Sequence, residues 1–222
     1  ISWLIAAHTA VLGYWLGSEL VINSTYRLVC FADDMPFAQR DRLMDHVMVV
    51  DQHVRYALVL QATLGTMLAA SYGFIPGGQP VVLAVGIFGA AWLIFVELIH
   101  RLRKRPVGKR LAFVDRASRY VFMIGLIAIA AGLLGETWAI PNWLRWKLAA
   151  FAGVIACGIG IRFALIAHFK TWSDMATGNQ TPANNAIIKR TYVRATSILV
   201  LLWVFIGIIV VLSIDKLVRL EH

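Results

Sequence analysis

In the stretch "AHTAVLGYWLGSEL", residues 7–20, the imidazole of His8 and the carboxylate of Glu19 interrupt a run of apolar and small residues. Each group is costly in hydrocarbon. A neutral histidine inside a membrane needs a hydrogen-bond partner or a metal, and imidazole is a common ligand of haem iron. A buried carboxylate needs a cation, and Arg162 or Arg55 is the partner expected for Glu19. Glu97 precedes Arg101 by four residues, the spacing of an ion pair on one helix face. His46, His53, His100 and His168 stand near expected helix ends without HxxxH or HExxH spacing, and they read as interfacial histidines.

The elements that must position these groups follow from composition. The 222 residues are 59% hydrophobic and only 15% charged, and the mean hydropathy is +0.72. This is the composition of an integral membrane protein, not of a soluble domain. The formal charge of +9 falls between apolar runs instead of forming a basic stripe with interleaved aromatics, so nucleic acid is not an expected partner. Cys30 and Cys157 lack CxxC or CxxCH spacing and read as small packing residues.

Apolar runs long enough to cross a core of about 30 Å occur near residues 2–26, 52–71, 80–99, 119–138, 146–167 and 192–214. The expected fold is an all-α polytopic membrane bundle of six transmembrane helices, forming a single domain over residues 1–222. The first run has no basic stretch before it and no cleavage-site pattern, so it is expected to be a retained span. "YGFIPGGQP" and "WAIPNW" read as turns on the non-cytoplasmic side. Sixteen of the 21 Lys and Arg residues fall in 27–55, 101–119 and 169–194. By the positive-inside rule, both termini are non-cytoplasmic. Residues 35–50 predict an amphipathic surface helix with Phe37, Leu43, Met44, Val47 and Met48 on its apolar side. Residues 173–185 predict a polar loop, and Gly13 with Gly17 predicts close helix packing.

Helical rise converts position into depth, and two layers result. The outer one contains His8, Met67, Glu136 and Lys147. The inner one contains Glu19, Asp51, His53, Arg55, Glu97, His100, Arg162 and His168. On this reading His8 and His53 stand on the order of 20 Å apart along the membrane normal, too far for both to ligate one haem. Lys147 also has a plain reading, an ammonium snorkelling to water.

The motifs resemble those of HemJ-type protoporphyrinogen IX oxidases and the related CopD-like copper-resistance membrane proteins. In those families a first-span His is followed seven residues later by Trp and then by small residues, matched here by His8, Trp15 and Gly17. The HemJ type also opens a later span with Trp-Leu-x-x-Lys, matched by "WLRWK", Trp143 to Lys147. The resemblance implies a haem b site with His8 as iron ligand and Lys147 near the same pocket. HemJ proteins typically have four spans, and residues 79–138 add two more, so the match covers roughly two-thirds of the chain. It does not carry over a porphyrinogen substrate.

Three functions are expected from this pattern. The first is a haem-b-binding membrane protein of electron transfer or oxidase type, in the bacterial inner membrane, meeting a quinone or other electron donor. In it His8 binds iron, Lys147 or Met67 takes the other axial position or a propionate, and Tyr14, Trp15 and Trp146 line the macrocycle. The second is an accessory subunit or homo-oligomer whose intramembrane polar residues lock helices together, with lipid and other membrane subunits as partners. The third is copper transport or resistance, weakly signalled because Met35, Met44, Met48, Met67, Met123 and Met175 include only one MxxxM pair. No GxSxG element, Walker loop or HExxH motif marks an enzyme class. Gln61 and Asn23 read as interhelical amides, or alternatively as lining for a quinone or substrate pocket.

Overall fold

The computed structural model describes the chain except residues 103, 104, 136, 137, 221 and 222 and the side chains of 109 and 215–220. Glu136, assigned to the outer layer, therefore lies outside the described residues, as do the charged groups of Arg103, Lys104, Lys109, Lys216 and Arg219. Six helices follow one another: α1 Ser2–Phe31, α2 Phe37–Ser71, α3 Gly78–Leu102, α4 Pro106–Ala130, α5 Asn142–Ala176 and α6 Pro182–Leu220. The described residues contain no strand.

Local chemistry sets the helix ends. Gly73, at φ 74°, closes α2 by letting Phe74 N–H donate to the Ala69 carbonyl at 2.9 Å. Pro106 and Pro182 occupy first helical positions, where the missing N–H costs nothing. The Thr181 hydroxyl caps α6 by accepting from Asn184 N–H at 3.2 Å.

α1, α3, α5 and α6 up to Ile214 are long and apolar enough to cross a membrane. α2 and α4 fall short by composition. The apolar half of α2 carries Arg55, Gln61, Thr63 and Thr66, and α4 carries Asp115, Arg116 and Arg119. The run expected to span 119–138 stops being helical at Ala130, because Gly132 and Gly135 adopt left-handed backbone at φ 77° and 70°.

Two further expectations change. Residues 35–50 are not a separate surface helix: no proline lies in 37–71 and the one glycine there, Gly65, does not adopt positive φ, so α2 is continuous, and Met44 and Val47 are buried under protein. The polar segment at 173–185 is mostly helical, since α5 runs to Ala176 and α6 starts at Pro182.

The chain folds into two compact units. The first comprises residues 1–21, 48–122 and 132–141. Within it α2 turns two different faces to its neighbours. Gln52 Nε2 donates to the Val96 carbonyl at 3.2 Å, Tyr56 donates to Glu97, and Thr63 and Met67 abut Gly89 and Gly86 of α3. His53, Gln61 and Gly65 meet α1 instead.

The second unit comprises residues 22–47, 123–131 and 142–222. α5 and α6 run antiparallel in it, with Lys147 beside Ser213, Gly153 against Phe205, Gly160 against Ile198 and His168 beside Thr191. One core joins Tyr26, Val29, Cys30, Met44, Val47, Trp172, Met175, Ile188 and Tyr192. A smaller one joins Leu126, Ala152 and Ile155.

Candidate functional sites

His8 lies on the α1 face that meets α2. A Cβ added to Gly65 would stand 3.4 Å from His8 Cε1, so the glycine provides the space in which the imidazole sits. One turn away, Gln61 Nε2 donates to the His8 carbonyl at 3.1 Å, pinning the α1 turn that carries the ring.

Met67 belongs to a different face. Its Cε would be 3.5 Å from a Cβ on Gly86, placing the thioether against α3. Two residues along a helix rotate the side chain by about 200°, so Met67 points away from the face occupied by Gly65 and His8. It does not supply a second ligand opposite His8. Trp15 is buried and donates from Nε1 to Glu19 Oε1 at 2.7 Å, an i,i+4 bond that satisfies the indole and one carboxylate oxygen. Tyr14 is spent on His53, with its hydroxyl 2.6 Å from Nδ1.

His53 stands nearer the depth of His8 than the sequence suggested. Gln61, bonded at the His8 level, is eight residues from His53, equivalent to about 12 Å of helical rise and not 20 Å. α2 runs on from residue 52 back to Phe37, so His53 is an interior position of the helix and not its end.

Lys147 and Trp146 lie in the second unit. The Lys147 ammonium donates to Ser213 Oγ at 2.8 Å. Trp146 is 69% exposed, which suits lipid contact and not the lining of a macrocycle. Arg162 is on α5 in this unit, while Arg55 pairs within α2 with Asp51 at 3.0 Å. Glu97 accepts from both Arg101 and Tyr56.

The most deeply buried polar cluster is one that sequence reasoning set aside. His168 is fully buried on α5, with Nδ1 2.9 Å from the Tyr26 hydroxyl and 3.2 Å from Thr191 Oγ1. Its ring stacks on Trp172 at 5.6 Å, and Nε2 has no hydrogen-bond partner among the described residues. Arg40 is also buried, donating from Nε to the Val29 carbonyl at 2.9 Å and from Nη1 to Asn185 Oδ1 at 3.0 Å. Its guanidinium lies 5.4 Å over Trp172, whose Nε1 donates to Asp41 Oδ1 at 2.8 Å. A signal for this cluster was present: Leu165, His168, Trp172 and Met175 recur at one-face helical spacing, which marks a covered stripe.

Among the described residues no three His, Cys, Asp or Glu side chains stand close enough to hold a metal ion. No family model, curated protein or solved structure matches the chain.

Proposed function

We propose that the chain is a haem-b-binding integral membrane protein of the bacterial inner membrane, acting in electron transfer or an oxidase-type reaction. It has six spans, with both termini on the non-cytoplasmic side. The observation that carries this reading is the seating of His8: an imidazole on an intramembrane helix face, set against a glycine and fixed by Gln61. The donor type fits haem iron. The HemJ-like and CopD-like first-span motif, His8 with Trp15 and Gly17, nominates the same residue, and the motif Trp143 through Lys147 separately nominates Lys147.

Bound haem supplies one-electron chemistry at iron. The chain holds and orients it: His8 is the ligand, Gln61 fixes its backbone turn, and the Trp15–Glu19 bond stiffens the next turns of α1. α2 and α4 cross the membrane despite their charges. The polar groups of α2 meet neighbouring helices, as with Gln52 and Tyr56, and Asp115 pairs with Arg119. A quinone or another electron donor is the proposed redox partner.

A second reading, an accessory subunit of a larger membrane assembly, is favoured by polar groups already engaged between helices. Asn23 Oδ1 accepts from Thr196 at 3.1 Å, and Lys147 donates to Ser213. Copper handling is the third, with His8 as its nominated ligand. Absorption spectra of the purified protein, oxidised and reduced, separate the three. A Soret band lost in His8→Ala is the expected result. A colourless protein overturns the haem reading, and metal analysis then distinguishes copper from a cofactor-free subunit.

A further inference from the structure

The first half of α4 distributes its charges unevenly. Asp115 is the one carboxylate in residues 101–119, and it is buried and paired with Arg119 at 2.9 Å. Arg105, Arg110 and Arg116 are exposed, and none of them pairs with a carboxylate among the described residues. Between them, Val107, Phe113 and Val114 are exposed at 57%, 65% and 49%. At about 100° of rotation per residue, Arg110, Phe113, Val114 and Arg116 share the half of the helix turned away from Asp115, and Val107 borders it. That face is cationic and apolar, with no exposed acid.

Bulk water would leave the apolar side chains uncovered, and a hydrocarbon layer would strand the arginines. The boundary between headgroups and acyl chains suits both. The rest of the helix selects that boundary over an acidic protein partner. From Tyr120 to Ala130 α4 contains no charge, and Tyr120, Val121, Ile124 and Ile127 are exposed. The cationic face thus continues along α4 into an uncharged, exposed apolar surface, with a tyrosine at the junction.

We propose that Arg105 and the N-terminal half of α4 form a binding surface for anionic phospholipid. Arg105, Arg110 and Arg116 bind the headgroup phosphates, and Val107, Phe113 and Val114 insert beside the acyl chains. Guanidinium groups donate two parallel bonds to a phosphate, and the net negative charge of the lipid complements a face that lacks its own counter-charge. The surface lies within the first unit and does not depend on the haem reading.

The test is native mass spectrometry of the detergent-solubilised full chain, titrated with dioleoyl phosphatidylglycerol or dioleoyl phosphatidylcholine. The wild type binds the anionic lipid more tightly, and added salt reduces the difference. R105Q, R110Q and R116Q each weaken phosphatidylglycerol binding by about fivefold, and the triple variant loses the preference. Lysine at the three positions retains most of it, which guards against a glutamine variant that fails to fold. F113S weakens both lipids alike. Equal binding of the two lipids by the wild type overturns the proposal, as does a triple glutamine variant that folds and keeps the preference.

Discussion

Tyr26 on α1 and His168 on α5, 142 residues apart in sequence, meet inside the second unit with hydroxyl and Nδ1 2.9 Å apart. Their rings pack edge to face at 5.0 Å, so one contact serves both as a hydrogen bond and as core packing. Removing only the hydroxyl, Tyr26→Phe, is expected to cost about 1 kcal/mol. His168→Ala is expected to cost about 3 kcal/mol, because it also opens a cavity beside Trp172 and removes the imidazole bonds to Tyr26 and Thr191. Unfolding in mixed micelles measures both, and an alanine variant as stable as the wild type would refute the role of this pair.

Arg40 is held by geometry more than by charge, since its bonds run to a carbonyl and an amide oxygen. Lysine cannot reproduce the divergent Nε and Nη1 bonds or the planar stacking over Trp172. Arg40→Lys should therefore lower stability by about 1 to 3 kcal/mol, with one acceptor left unsatisfied. Equal stability of the lysine variant would show that the planar fork is dispensable.

Three helical glycines differ in the room beside them, and alanine substitution should rank them. At Gly89 a Cβ would stand 2.3 Å from Thr63 Oγ1 and 2.9 Å from Thr63 Cβ, too near the α2 backbone for easy relief. Gly89→Ala should cost about 1 to 3 kcal/mol, partly restored by Thr63→Ala. At Gly153 the clash, 2.8 Å, is with the edge of the Phe205 ring, which a Phe205→Leu exchange removes. At Gly160 the nearest atom is 3.6 Å away, so Gly160→Ala should be neutral or stabilising through reduced backbone entropy in the unfolded chain. Thermal unfolding of the three variants checks the order.

Gly65 is the test of how His8 is seated. Alanine there places its Cβ 3.4 Å from His8 Cε1, a contact the ring can accommodate by a small shift. Valine or leucine must displace the imidazole. The expected pattern is a near-normal visible spectrum for Gly65→Ala and a weakened or shifted Soret band for Gly65→Leu, at comparable expression. Identical spectra would separate the imidazole position from any bound chromophore.

Several features were readable along the chain because they are local. Hydropathy marks the apolar runs in α1, α3, α5 and α6, and all four are helices long enough to cross a membrane. The glycine and proline punctuation at residues 73–80 coincides with the break between α2 and α3. Glu97 and Arg101, four residues apart, do pair. Each of these depends on interactions within a few turns, which spacing encodes.

The remaining features depended on which faces come together. Met67 and His8 share an expected depth, yet rotation around α2 sends the thioether to Gly86 and leaves Gly65 for the imidazole. Residues 35–50 have the amphipathic pattern of a membrane-surface helix, but their apolar side is covered by Trp172, Met175 and Ile188, which lie far away in sequence. His168 carries no motif, because burial of a single imidazole arises from long-range neighbours: Tyr26, Thr191 and Trp172. Sequence alone determined the all-helical character and the apolar runs inside α1, α3, α5 and α6, since hydropathy and backbone preferences act locally, while most helix ends lay several residues beyond those runs. Only the tertiary structure decided which polar side chains meet, because that depends on helix rotation and on contacts between distant segments.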